Sequence, residues 1–161
     1  MSVHVRRASR DDLPRIWEML LGLARYEKLE DEVSGSEVKL REHLFGPHPK
    51  VECLVAEDEG ALIGYALFYP TYSSFSTEPT MWLEDLFVEP SARGKGAGKQ
   101  LLAELSELSL QRGCARLGWI VLDWNAPSIE FYERTGARRS KDHWHQYGLD
   151  AAAMRKLADG G

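Results

Sequence analysis

The sequence predicts an α/β fold in a single domain spanning residues 1–161, and three observations carry that expectation. Segments with helical spacing of apolar residues interleave with short apolar or alternating runs. A hairpin signal in the first half and a β-α-β unit in the second half imply a mixed sheet. The length suits one hydrophobic core, with no repeat and no low-complexity tract.

The elements follow in order. Val3 to Ala8 reads as a strand, and Ser9-Arg10-Asp11-Asp12 as a capping box in which Ser9 and Asp12 satisfy backbone N–H groups. Pro14 fits a first helical turn, where a missing N–H costs little. Leu13, Ile16, Trp17, Leu20, Leu21 and Ala24 then mark a helix to about residue 26. A shorter helix is expected from Ser36 to Leu44, with Val38, Leu40 and Leu44 on its apolar side. Strands are expected at Val51–Glu57 and Ala61–Thr71, joined by a turn at Asp58-Glu59-Gly60. Tyr72 to Thr80 reads as a loop and Met81 to Val88 as a strand. A helix from Lys99 to Arg112 ends at Gly113, and a strand follows from Leu117 to Leu122. A short helix at Pro127–Arg134, a strand pair around Ala137–Asp150 and a helical tail complete the chain.

Composition narrows the function. A net charge of −5 and a pI near 5.6 argue against a nucleic-acid partner and leave room for a cationic small molecule. No apolar run reaches the length of a bilayer span, and the N-terminus does not read as a secretory signal, so the expected location is cytoplasmic, without a membrane partner. Cys53 and Cys114 read as two buried thiols. His143 and His145 flank Trp144 with no third ligand at a matching spacing, so no metal is expected.

The strongest chemical signal is Arg93-Gly94-Lys95-Gly96-Ala97-Gly98, set between a strand and a helix. A helix N-terminus leaves N–H groups unpaired and partly positive, and glycines let a diphosphate approach that backbone. Arg93, Lys95 and Lys99 add mobile positive charge. The P-loop motif fails because Gly98-Lys99 is followed by Gln100, and the dinucleotide motif fails because position 99 is Lys.

Arg93, Gly96 and Gly98 form Arg-x-x-Gly-x-Gly, which resembles the loop that holds the coenzyme A pyrophosphate in the GCN5-related N-acetyltransferase (GNAT) superfamily. Ala24-Arg25-Tyr26-Glu27, Leu83 to Val88, Trp124 to Tyr132 and Trp144 to Asp150 resemble the diamine (spermidine/spermine) acetyltransferases. The resemblance implies a single-domain GNAT fold, a mixed and mostly antiparallel sheet flanked by helices with a splayed central strand pair. It also implies acetyl-CoA as co-substrate, a small primary alkylamine as acceptor, and a homodimer. For the cofactor it implies Arg93 through Lys99 (Gly94, Lys95, Gly96, Ala97 and Gly98 between them), the strand residues Leu86, Phe87 and Val88, and Asn125 with Ser128. Thr135 stands where the animal enzymes carry Arg.

Acetyl transfer to an amine requires that the ammonium, with a free pKa of about 10.4, lose its proton. It requires a donor for the developing oxyanion and a proton for the leaving thiolate. The resemblance gives the last role to Tyr132 and the amine side to Glu84, acting directly or through water. Glu84 lies within an apolar strand, where a lone buried carboxylate would be costly. Strict alternation puts Glu84 and Asp85 on opposite faces, leaving Asp85 structural. Tyr26 and Glu27 match acceptor-lining positions, and Glu27, Glu30, Asp31 and Glu32 oppose the dipole of the helix they follow, as a cluster that attracts a cation would. Three alternatives stay open: thialysine or another amino-acid-like acceptor, protein N-termini or lysines, and a non-catalytic acyl-CoA-binding sensor.

Overall fold

The computed structural model describes residues 2–140 and 144–160, which form two compact units, one running to Asn125 and the other starting at Ala126. The first unit carries a five-stranded sheet in the order β1-β2-β3-β4-β5. Its strands are β1 (His4–Arg7), β2 (Glu52–Asp58), β3 (Ala61–Ser73), β4 (Glu78–Val88) and β5 (Leu117–Gly118). The first four pair antiparallel and β4 with β5 parallel.

Alternation along the strands makes the sheet two-faced. Cys53 and Val55 of β2, Tyr65 and Leu67 of β3, and Phe87 of β4 pack against Leu13, Ile16 and Met19 of α1 (Leu13–Tyr26) and Leu44 of α2 (Glu37–Phe45). Each such aliphatic side chain contributes about 2 kcal/mol of burial. On the other face lie Leu54, Ala66 and Phe68, with Leu101, Leu102 and Leu105 of α3 (Ala97–Gln111) buried as well.

Local chemistry sets the helix ends. A 3-10 turn, Arg10–Asp12, precedes α1. The Asp12 carboxylate accepts from the Ser9 backbone N–H at 2.7 Å and the Ser9 hydroxyl at 3.0 Å, the expected back-bond of the capping box. Ser36 caps α2 by accepting from the Lys39 N–H at 3.3 Å. The C-terminus of α1 is a Schellman closure: Leu29 N–H bonds Ala24 C=O at 2.9 Å and Lys28 N–H bonds Arg25 C=O at 3.1 Å. Lys28 occupies the left-handed position at φ 60°, normally taken by glycine. The second unit holds α4 (Ala126–Arg134), ending near Gly136, and α5 (Ala151–Ala158), capped by Asp150.

Five expectations are corrected. Tyr72 to Thr80 is not a loop throughout, because β3 runs to Ser73 and β4 starts at Glu78. The arm outruns β2, so Pro70 costs no ladder bond to a third strand. The strand expected from Leu117 to Leu122 stops at Gly118, where its pairing with β4 ends. The strand pair around Ala137–Asp150 is absent from the described residues 137–140 and 144–150, which find no ladder partner. Val38 is exposed rather than apolar-packed, and Cys114 is only half-buried, whereas Cys53 is buried.

Asp12 ties three elements together. Arg6 of β1 grips its carboxylate with two bonds of 2.7 and 2.9 Å while also reaching Glu57 at 3.1 Å. The Arg6 bonds, opposed by burial, bring the Asp12 carboxyl down from 3.8 to about 2. A carboxyl depressed on folding stabilises the fold above its unfolded pKa and loses that contribution as pH falls through the folded one. Asp12→Asn should therefore cost roughly 1–2 kcal/mol near neutral pH, and denaturant titrations should show the difference from the parent shrinking as pH falls from about 4 toward 2.

Candidate functional site

The glycine loop follows β4 and a 3-10 turn at Pro90–Ala92. Gly94 and Gly96 sit at φ 85° and 84°, a backbone that other residues adopt only at a cost, and open space lies beside both Cα atoms. Gly96 is the N-cap of α3, so the N–H groups of Ala97, Gly98 and Lys99 start the helix without helical acceptors. This is the cradle a pyrophosphate needs. The charge around it is less mobile than expected. Arg93 donates from Nε to Val88 C=O at 3.2 Å and lays its guanidinium over the Tyr26 ring at 4.7 Å. Lys95 donates from Nζ to Asp58 at 2.7 Å. Lys99 is exposed.

The ladder between β3 and β4 contains one extra residue. Leu67 lies opposite Asp85 and Phe68 opposite Leu83, so Glu84 has no partner and forms a β-bulge. The bulge overturns the expectation that Glu84 and Asp85 face opposite ways. Glu84 accepts from Tyr69 Oη at 3.1 Å and Trp82 Nε1 at 2.8 Å, both on one oxygen. Asp85 accepts from Tyr65 Oη at 3.0 Å. Tyr65 and Tyr69 point the same way from β3, so both carboxylates join the α1 face of the sheet.

Asp85 therefore sits beside Glu84 rather than across the sheet from it. Burial raises its carboxyl from 3.8 to about 6; the Tyr65 hydroxyl opposes the rise, and the nearby Glu84 and Glu27 charges reinforce it. Burial also raises Glu27, the C-cap of α1. Glu30, Asp31 and Glu32 form an exposed 3-10 turn, so Glu27 is the one member of the acidic run that faces this cluster. Tyr26 links the regions: its ring carries Arg93, its hydroxyl donates to the Asn125 amide oxygen at 3.1 Å, and Trp124 lies 6.2 Å away.

Beyond Trp82 the ladder with β5 stops, so β4 keeps an open edge from Leu83 to Val88 among the described residues. Alternate residues turn backbone groups to that edge, which suits the expected service of Leu86 and Val88. The Phe87 side chain is buried against Tyr65, leaving only its backbone for such a role. In the second unit, Ser128 and Tyr132 lie on α4, both half-buried, and the Tyr132 ring tilts against Phe131 at 5.3 Å. His145 is exposed, whereas His143 lies outside the described residues.

Sequence reasoning missed Tyr65, Tyr69, Trp82 and Asp58. Two adjacent carboxylates in an apolar strand were the only available signal of the bulge.

The comparisons with known proteins agree with this architecture. The acetyltransferase (GNAT) family profile matches residues 13–137. The chain is 38% identical over 167 residues to a thialysine N-epsilon-acetyltransferase of Sus scrofa, covering 98% of each. It is 30% identical over 163 residues to the spermidine/spermine N(1)-acetyltransferase-like protein 1 of Homo sapiens, covering 96% of this chain and 23% of that one. Among solved structures, an integron cassette protein from the mobile metagenome of V. cholerae superposes with a TM-score of 0.78 at 28% identity, covering 98% of both. The chain belongs to the acetyltransferase (GNAT) family and is an acetyltransferase.

The raised Asp85 carboxyl carries a stability signature. A carboxyl raised on folding binds its proton more tightly in the folded state, so stability falls as pH rises from about 4 through about 6. Asp85→Asn keeps an acceptor for Tyr65 and removes the buried charge. It should gain on the order of 1–2 kcal/mol at pH 8 and nothing below pH 4, read as thermal midpoints across pH.

Proposed function

We propose that this enzyme moves the acetyl group of acetyl-CoA to the primary amine of a small alkylamine that carries further charge. The observation that carries the reading is the gathering of Glu84, Asp85 and Glu27 around the β4 bulge. Three carboxylates attract an ammonium far more strongly than one, and the partial burial of Asp85 and Glu27 strengthens their share. Thialysine is the first acceptor to test, supported by the likeness to the Sus scrofa enzyme. A diamine or polyamine is the second reading, supported by the spermidine/spermine likeness.

The residues fit acetyl-CoA: the left-handed glycines, the free start of α3 and the Arg93 guanidinium provide an anion cradle. In this reading Arg93 to Lys99 hold the pyrophosphate, and Asn125 with Ser128 add contacts. The thioester supplies an activated acetyl group when bound. Backbone N–H groups of β4 between Leu86 and Val88 orient its carbonyl. Glu84, with one oxygen held by Tyr69 and Trp82, keeps its other oxygen to take the ammonium proton directly or through water. Tyr132 holds at Oη the proton that the departing thiolate takes up.

Residues 1–161 act as one N-acetyltransferase domain in this reading, supported by a family match that crosses the Asn125–Ala126 boundary. A cytoplasmic homodimer belongs to the same reading. No described helix is long and apolar enough to cross a membrane, and the exposed Met154 and Leu157 share one face of α5.

Thiol release from acetyl-CoA should be measured with thialysine, lysine, putrescine, spermidine, spermine and aminoalkylphosphonates. Turnover with thialysine above the polyamines is expected. Release with none of them, beside measurable acetyl-CoA binding, would favour a sensor. Tyr132→Phe should lower kcat by at least about 100-fold at nearly constant acetyl-CoA affinity, and an unchanged kcat would remove Tyr132 from the mechanism.

A further inference from the structure

The turn between β2 and β3 carries a carboxylate that the reaction does not use. Asp58 ends β2 opposite Ala61, closing a two-residue hairpin in which Glu59 and Gly60 both adopt left-handed backbone, at φ 50° and 82°. Asp58 is 6% exposed. Its Oδ2 accepts from Lys95 Nζ at 2.7 Å. Its Oδ1 is fully buried and has no hydrogen-bond partner among the described residues. A buried carboxylate oxygen left unpaired costs free energy, so this arrangement is poor if its purpose is stability alone.

The other end of the bond explains its use. Lys95 stands between Gly94 and Gly96, so its backbone is flanked on both sides by the residues that lose most freedom on ordering. Its side chain is 40% exposed, and its ammonium is fixed by the bond to Asp58. Asp58 belongs to a hairpin fixed by ladders on both strands, and its carboxylate lies at the end of the rigid sheet. One charge-assisted bond thus fastens the glycine loop to the end of the sheet.

We propose that Asp58 is a positioning residue for coenzyme A: by holding Lys95 it keeps the 93–98 loop in the conformation that receives the pyrophosphate before the cofactor arrives. The inference rests on the reading of that loop as the pyrophosphate site. The ordering entropy is then met at folding rather than at binding, which raises affinity without a contact between Asp58 and the ligand. Lys95 accordingly serves through its backbone and its tether, and Arg93 with the helix N-terminus supplies the charge.

The test compares coenzyme A with pantetheine, which lacks every phosphate, by calorimetry. Asp58→Asn should weaken coenzyme A roughly tenfold and leave pantetheine unchanged. The double variant with Lys95→Gln should lose no more than Lys95→Gln alone. Amide hydrogen exchange without cofactor supplies a readout independent of binding: Asp58→Asn and Lys95→Gln should each speed exchange at residues 94–99 while the β2–β3 ladder stays protected. Lys95 lies on the exposed side of the pair, so its exchange result decides the matter even if Asp58→Asn does not fold. Equal losses for both ligands, no loss for either, or unchanged exchange in the loop would overturn the proposal. A parent protein that binds coenzyme A and pantetheine equally would instead overturn the pyrophosphate reading, and this inference with it.

Discussion

In an antiparallel ladder, neighbouring side chains on a strand face opposite sides of the sheet. Two adjacent carboxylates can share one side only if the ladder is broken between them. β4 meets that constraint with a single extra residue, Glu84, which has no partner on β3. The break turns Glu84 toward Tyr69 and Trp82 and leaves Asp85 beside Tyr65. It also lies just past Trp82, where the pairing with β5 ends. The same short stretch therefore collects the carboxylates and frees the backbone edge of the strand.

Three aspartates show how placement decides what a carboxylate does. Asp12 is gripped by Arg6 and by Ser9, and its charge strengthens the joint between β1 and α1. Asp85 meets one hydroxyl and two neighbouring carboxylates, so burial dominates and its charge is a burden on the fold. Asp58 has one ammonium on one oxygen and, among the described residues, no hydrogen-bond partner on the other. The first arrangement favours stability. The second suits a site awaiting a cation. The third ties a loop to a sheet.

Much of this was legible in the chain. The helical spacing of Leu13, Ile16 and Leu20, the capping box of Ser9 and Asp12, and Gly94 and Gly96 after β4 each state a local preference that the structure keeps. The bulge at Glu84 was not legible, because neither Gly nor Pro marks it and strand patterning assumes an unbroken period of two. Nor was the reach of the β3–β4 arm, since serines, threonines and prolines around positions 70–80 read as loop, while the Thr71 and Thr80 hydroxyls in fact bond at 2.8 Å across it. The end of α1 at Tyr26 falls where the spacing puts it, but the form of its closure was not legible, because Lys28 takes the left-handed position usual for glycine. Long-range partners such as Asp58 with Lys95, or Tyr26 with Asn125, carry no local signal at all.

Tyr26 offers its ring to Arg93 of the cofactor loop and its hydroxyl to Asn125, and it precedes Glu27, which adds its charge to the cluster at the bulge. One side chain is thus common to the proposed sites of both substrates. Linkage then imposes a symmetry: if drawing Arg93 toward a phosphate alters how tightly the amine is held, the amine alters the hold on the phosphate by the same factor. Cofactor and acceptor are expected to report on one another in equilibrium titrations, with Tyr26 as the shared term in both.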